Sequence, residues 1–427
     1  MPDSRRPNIL WIIAEDFGPA LSCMGRTDLR TPRIDALAGE GILFTRCHTT
    51  APVCSPSRSA FLTGMYQTTI GAHDHRSHRD DFHPLPSGVR TAPEWFRAAG
   101  YATANLVHLP LPFRGTGKTD WNFAAPARPF EHEDWKTLRA DGRPFFAMLN
   151  LWETHRPFEA PRVTDPARFD LPPFYPDHPR IREDTARYLD SALALDRKVG
   201  QMLDLLDAEG LRDNTVVFFM GDNGEAHIRG KQFCYDEGLH VPLVVSLPSS
   251  LRRYGRGVSR RTDRLVEAID WLPTSLALAG VRVPAGMQGR PFLGPGAGQP
   301  RRYAFAARDR CDETVIRLRT VRDARYRWIR NLTPDKGLFE PNAYKAAQYP
   351  AWNLVQDMGR AGKLEGPARL LVAPRLPATA LFDLETDPHA LVNLADDPAH
   401  RAVRERLDRA LREWMRRSGD PHAGLLP

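Results

Sequence analysis

Two acidic pairs and one cysteine are the residues whose placement suggests chemistry. Glu15-Asp16 and Asp222-Asn223 each closely follow a short apolar run, NILWII at residues 8–13 and TVVFFM at residues 215–220. Such runs read as buried parallel strands. In open α/β sheets the ligand crevice lies at the carboxyl ends of the strands. Two neighbouring ends of this kind would bring four oxygen-bearing side chains together, the set that hard cations such as Ca²⁺ and Mg²⁺ take. Either pair alone is ordinary turn composition. Their equivalent placement is what points to a cation. Cys54 precedes Ser55 and Pro56, which read as an N-cap and a first helical residue, and Ala60-Phe61-Leu62 continues that helix. A cysteine there lies at the positive end of a helix, where anions are stabilised, and Arg58 reaches the same spot from one turn on. A small buried cysteine beside a helix start fits the same residues.

The elements that must position these groups alternate in type. Thr31 and Pro32 read as the N-cap and first residue of a helix. Residues 184–209 form the clearest helix, with Tyr188, Ala192, Leu195, Val199, Met202 and Leu206 on one apolar face and Gly210 as the stop. A third apolar run follows at residues 241–247 (VPLVVSL). Strands alternating with helices predict an α/β fold with a large, mostly parallel or mixed sheet sandwiched by helices. Residues 286–300 are rich in Gly and Pro and read as a boundary. The expected division is a catalytic α/β domain at 1–300 and an α+β subdomain at 301–427. In the latter, residues 314–320 and 325–330 alternate apolar and polar, as antiparallel strands with one wet face do. Residues 381–384 add a short strand and 399–416 an amphipathic helix, giving a smaller antiparallel sheet plus helix. Residues 336–377 show no clear period and read as a long irregular insertion.

Bulk properties narrow the function classes. At 427 residues the chain suits one large domain and a smaller one. Lys+Arg number 59 against 52 Asp+Glu, a net charge of +7, but the basic residues are spread along the chain. That distribution argues against a nucleic-acid partner, and an anionic substrate needs only a local positive pocket. The five cysteines, Cys23, Cys47, Cys54, Cys234 and Cys311, are odd in number, widely spaced and without a CxxC pair, which argues against a disulfide framework and a zinc site. The first seven residues are polar, and no apolar stretch is long enough to span a bilayer, so no membrane partner is expected. A cytoplasmic location is expected for the chain as it stands. A periplasmic or secreted chain that has lost its leader reads the same. The oligomeric state is left open, a dimer included.

Cys54-Ser55-Pro56-Ser57-Arg58, continuing to Leu62-Thr63-Gly64, resembles the CxPxR…LTG signature of the formylglycine-dependent sulfatases, of the alkaline-phosphatase-like superfamily. The resemblance runs from Asn8 to residues 381–394 (LFDLETDPHALVNL), which are similar to that family's C-terminal LYDLxxDPxExxNL block. It is greatest for the heparan N-sulfatase (sulfamidase)-like branch. It implies an alkaline-phosphatase-like fold and hydrolysis of a sulfate ester or sulfamate on a sugar. It further implies that a formylglycine-generating enzyme converts Cys54 to formylglycine, whose hydrate attacks sulfur. Glu15, Asp16, Asp222 and Asn223, with the modified Cys54, resemble the ligands of a Ca²⁺ ion, with Mg²⁺ as the alternative. Arg58 resembles the arginine that holds the hydrate. Lys118 and Lys231 resemble the two sulfate-binding lysines, and His155 the histidine that protonates the leaving group. Two positions depart from the pattern. Glu15 stands where Asp is usual, one methylene longer. Asp120 stands where many members carry a histidine that works on the nucleophile.

Other residues are candidates for substrate contact. Residues 71–78 (GAHDHRSH) hold His73, His75 and His78, which could supply a base, contact substrate, bind zinc or simply be solvated. His227 and His240 flank Lys231 in sequence. Arg308-Asp309-Arg310 and Asp312-Glu313 read as a charged turn before a strand, with Arg308 and Asp309 as candidate substrate contacts. Two rival readings share these residues: a phosphonate monoester or phosphodiester hydrolase of the same superfamily, and an unmodified, non-catalytic relative that binds sulfated glycans.

Overall fold

The computed structural model describes residues 6–75 and 83–425. The first part of the chain builds an eight-stranded sheet. Its strands are β1 (Asn8–Ala14), β2 (Ile42–His48), β3 (Ala102–His108), β4 (His132–Asp134), β5 (Phe145–Leu151), β6 (Thr215–Gly221), β7 (His240–Ser246) and β8 (Arg261–Glu267), in the spatial order β4-β3-β5-β1-β6-β7-β2-β8. The helices are α1 (Pro32–Glu40), α2 (Cys54–Thr63), α3 (Ala92–Ala98), α4 (Trp135–Asp141), α5 (Pro179–Ala208), α6 (Asp236–Leu239) and α7 (Trp271–Leu278). The apolar runs become strands buried on both faces. Ile9, Trp11 and Ile13 enter one core with Phe61 of α2 and Trp271 of α7. Leu10, Ile12 and Ala14 enter the other with Leu195, Val199 and Met202 of α5. This two-sided burial removes the alternation that a half-wet strand shows.

β1 runs parallel to both β5 and β6. The third apolar run, now β7, departs from the parallel expectation: it is antiparallel to β6 and to β2. An apolar run buried on both faces does not encode its own direction. The long helix begins at Pro179, five residues before the expected start. His178 caps it, its ring accepting from the amide of Arg180, and Pro179 occupies the first turn. All six apolar-face residues named above are buried. Helix α2 begins at Cys54 itself, with extended Val53 as N-cap, so Ser55 and Pro56 lie inside the first turn and are not its cap and first residue.

Four further strands, β9 (Ala304–Cys311), β10 (Thr314–Arg322), β11 (Tyr326–Asn331) and β12 (Thr379–Asp383), form an antiparallel sheet in the order β12-β11-β10-β9. Neither face is wet, contrary to expectation. Val321, Trp328 and Leu381 pack with Leu407, Leu411 and Trp414 of the last long helix (Arg401–Arg417). Leu318, Ile329 and Phe382 on the other face join the apolar cluster of the main sheet. The polar residues of the alternation are absorbed by buried ion pairs, Arg319 with Asp309 and Asp420 being the central one. Arg308 to Arg310 lie within β9 and do not form a turn; the turn is Asp312-Glu313. The 336–377 segment is not irregular either. It holds α8 (Ala343–Gln348), α9 (Pro350–Arg360) and a 3-10 turn (Gly366–Val372), and buries Trp352, Val355 and Leu371 in the main core. The helix Arg401–Arg417 is therefore α10. No helix among the described residues is long and apolar enough to cross a membrane, and all five cysteines are free.

Candidate active site

The β1–β6 register pairs Ala14 with Gly221, so the residues just beyond the two strands meet. The amide of Asp222 donates to the carbonyl of Ala14 (3.0 Å), and that of Glu15 to Leu151 at the end of β5 (3.1 Å). Gly221 permits this approach, since a Cβ there would lie 2.3 Å from the Phe17 carbonyl oxygen. Asp16 takes a left-handed backbone conformation, φ 49°. Its amide donates to Asp222 Oδ1 (2.9 Å), which also accepts from the Asn223 amide (2.8 Å). Asn223 Nδ2 donates to Asp16 Oδ1 (2.9 Å). The two acidic turns thus form one interlocked, buried unit.

Helix α2 presents its first residue to that unit. Ser57 donates to the Asp222 carbonyl, and Cys54 Sγ lies 3.6 Å from Asp16 Oδ1. Burial pushes the thiol well above its ordinary range, against the pull of Lys118 and Lys231. Arg58, fully buried, donates from Nε to Asp222 Oδ2 (2.9 Å) and from Nη1 to Asn150 Oδ1 (2.8 Å). Its Nη2 is 3.4 Å from Glu15 Oε1 and has no hydrogen-bond partner.

The two lysines pair with different carboxylates. Lys118 Nζ lies 2.5 Å from Glu15 Oε2 and 3.4 Å from Asp120 Oδ2. Its main chain is held by a relay: Asn150 Nδ2 donates to Asn105 Oδ1 (2.9 Å), and Asn105 Nδ2 to the carbonyl of Gly117. Lys231 Nζ lies 2.8 Å from Asp16 Oδ2 and 3.5 Å from His155 Nε2. Buried Lys345 of α8 donates to the carbonyls of Ile228 (3.0 Å) and Lys231 (2.8 Å), fixing that loop. The His155 Nδ1 is 2.6 Å from the Arg156 carbonyl. A carbonyl only accepts, so Nδ1 carries the proton and Nε2 faces Lys231. Burial, then the charge of Lys231, lowers this imidazole to about 4. Burial opposes ionisation of Asp16, yet Lys231 and His155 hold it well below the usual carboxylate range. Burial raises Glu15, with Lys118 and Arg58 acting against it.

The site suits a cation. Ligand atoms of Glu15, Cys54 and Asp222 all lie within 4.8 Å of one another. Asn223 Oδ1 and Glu15 Oε1 are buried with no hydrogen-bond partner. Buried polar atoms seldom stay unpaired without a reason. Four carboxylates, Glu15, Asp16, Asp120 and Asp222, face three cations, Arg58, Lys118 and Lys231, leaving one negative charge in excess. A divalent ion reverses that sign, which an anionic substrate requires.

The remaining candidates are not drawn into this cluster. His73 packs near His422 (ring centroids 6.4 Å apart), and Asp309 binds Arg319, so both belong to the buried network under the small sheet. Arg308 is buried beneath the sheet over the ring of Phe233. His227 lies beside Arg156 and Asp184, and His240 lies 5.1 Å, ring to ring, from His48 and bonds the Thr45 carbonyl. His75 pairs with Asp312, which in turn accepts from Gln232, the neighbour of Lys231. His78 lies outside the described residues. Asn105, Asn150, Trp152, Tyr344 and Lys345 escaped the sequence reading. Only the two asparagines had a signal, as lone amides in largely apolar strands.

Comparison with known proteins identifies the family and the fold. The sulfatase family model matches residues 7–124 and 132–281. An ulvan-active sulfatase of Formosa agariphila is 30% identical, the match covering 97% of this chain and 76% of that one. The human N-sulphoglucosamine sulphohydrolase is 25% identical over 98% of this chain and 91% of its own. Among solved structures, one in complex with its substrate D-glucosamine-2-N,6-O-disulfate superposes with a TM-score of 0.70 at 17% identity, covering 97% of this chain and 99% of the other. The phosphonate monoester hydrolase of Agrobacterium radiobacter gives 0.68 at 20% identity, covering 97% and 96%, so the fold is shared beyond sulfate chemistry. With its family model matched through the cysteine helix and a relative 30% identical over 97% of the chain, the chain belongs to the sulfatase family, and it is a sulfatase.

Proposed function

We propose that this sulfatase removes sulfate from a sulfated sugar, as an O-sulfate ester or an N-sulfate, with a nucleophile made from Cys54. The observation that carries the reading is the convergence on Cys54 of four carboxylates and three cations around unpaired Asn223 Oδ1. The substrate class is supported by the relatives, one ulvan-active and one acting on N-sulphoglucosamine by name. A formylglycine-generating enzyme matures Cys54. The divalent cation, Ca²⁺ or Mg²⁺, is held by Glu15, Asp16, Asp222, Asn223 and the modified Cys54. Together these groups supply the oxygen nucleophile and a Lewis acid.

The chain's own residues do the rest. Lys118 and Lys231 bind the sulfate oxygens from two sides, in a pocket already organised by Glu15 and Asp16. Arg58 ties Asp222, Asn150 and Glu15 together, with Nη2 ion-paired to Glu15 and still without a hydrogen bond. His155 keeps Nδ1 on the Arg156 carbonyl and delivers a proton from Nε2 to the departing oxygen or nitrogen. Burial, with the charge of Lys231 second, keeps this ring neutral near neutrality. An anion bound against the lysines offsets the part of this effect that their charge causes. Asp120 pairs with Lys118, and so acts on the sulfate lysine and not on the nucleophile in the way of the usual histidine.

The test is mass analysis of the peptide containing Cys54 from protein co-produced with the maturing enzyme, followed by turnover. Conversion lowers the mass by about 18 Da, the difference between thiol and aldehyde side chains. Nitrophenyl sulfate should be turned over faster than bis-nitrophenyl phosphate. The reverse preference would establish the phosphonate or phosphodiester reading, and a persistent thiol the non-catalytic one.

A further inference from the structure

Trp152 immediately follows β5 and is the only exposed aromatic side chain among the described residues, 38% open. The charged groups that surround Cys54 are, by contrast, nearly closed to solvent. The indole lies against His155, ring centroids 3.8 Å apart, and Lys118 Nζ is 5.5 Å from its centroid. A second ring, Tyr344 of α8, is partly exposed. It lies 6.4 Å from the His155 ring, with Lys231 Nζ at 5.4 Å from its centroid. Each sulfate lysine therefore has an aromatic neighbour, and the proton donor adjoins both rings.

A single exposed apolar side chain needs no explanation by itself. This one does, because of what it touches. The bond that breaks joins sulfur to the atom that His155 protonates. The carbon bearing that atom must pass beside His155, and the open wall there is the indole. A pyranose ring offers one apolar C–H face, which packs on an aromatic ring and removes its surface from water.

We propose that Trp152, with Tyr344 as a second wall, binds the carbon ring of the sugar that carries the sulfate, and so makes the pocket selective for saccharide sulfates. This rests on the sugar-sulfatase reading above. The test measures binding, so it does not depend on maturation of the nucleophile. In a Cys54→Ala background, titration calorimetry is run with D-glucosamine-2-N,6-O-disulfate, with sulfated ulvan oligosaccharides and with inorganic sulfate. Adding Trp152→Ala weakens the saccharide that binds by about three- to tenfold, the range expected for one aromatic contact. Inorganic sulfate is unaffected, and Trp152→Phe recovers part of the loss. Equal weakening of saccharide and inorganic sulfate would show that Trp152 merely props His155 and Lys118, and overturns the proposal. Unchanged saccharide affinity also overturns it. If the protein with Trp152 intact binds inorganic sulfate but no saccharide, the sugar reading itself has failed, before Trp152 is varied.

Discussion

Lys231 Nζ sits 3.5 Å from His155 Nε2, so the lysine proposed to hold sulfate adds to burial in keeping neutral the residue proposed to release the sugar. His155→Ala should then act on the leaving group. We expect turnover of a sugar sulfate, a poor leaving group, to fall by about 10²–10⁴-fold, the usual worth of a positioned acid, with a much smaller loss on nitrophenyl sulfate. Equal losses on both substrates, measured as kcat, would remove His155 from that role.

The interlocked acidic turns predict a cation-dependent fold as well as a cation-dependent rate. Dialysis against a chelator should lower both activity and the thermal midpoint, and Ca²⁺ or Mg²⁺ should restore both. At about a hundredfold over its dissociation constant, a cation stabilises by ~2.7 kcal/mol. Asn223→Ala, which deletes the unpaired Oδ1, should weaken the restoring effect. A midpoint indifferent to added cation contradicts the metal assignment.

Stability should rise with pH through the histidine range. His48 is buried, and burial, then Arg322, pushes its imidazole well below the ordinary value; His240 beside it is lowered by burial too. Both are neutral in the fold, while the unfolded chain takes up protons below about pH 6.5. The unfolded state thus binds more protons at low pH, so this stability is complete above that value and is lost as pH falls below it. Each site adds a slope of at most about 1.4 kcal/mol per pH unit. His48→Leu removes two buried ring nitrogens that lack partners and should flatten the slope between about pH 5 and 6.5. Denaturant titrations across that range check it, and an unchanged slope contradicts it.

Arg319 is fully buried between Asp309 and Asp420. Burial alone would raise Asp309, yet Arg319 brings it down to about 2. Arg319→Met leaves two buried carboxylates and should cost about 3–5 kcal/mol, whereas replacing Asp309 and Asp420 by Asn in the same chain should recover much of that. Chemical unfolding measures both. A loss near zero for the single variant would mean the network is hydrated.

The parts of this site that were legible in sequence are those set by local pattern. An apolar run followed by acids marks a strand end, and β1 and β6 carry both. Cys54 and Arg58 lie one helical turn apart, so their alliance is written in five residues. Lys345, Tyr344 and Trp152 are different. Each matters through a partner far away in the chain, and a lone lysine or aromatic has no periodicity to read. Residues 336–377 were misread for a related reason: α8 and α9 are short, and their apolar residues answer to the main core instead of forming one long stripe. The direction of β7 was hidden by two-sided burial. The inward turn of Asp309 was hidden because a charged cluster usually faces water, and Arg319, ten residues on, explains the exception.

The most direct test of the central claim is sulfate release from sulfated saccharides by protein matured with a formylglycine-generating enzyme, with Cys54→Ala as its pair. The account predicts free sulfate from the matured chain and none above background from the Cys54→Ala variant. Equal release by both proteins, or none from the matured chain across sugar sulfates and sulfamates, would contradict it.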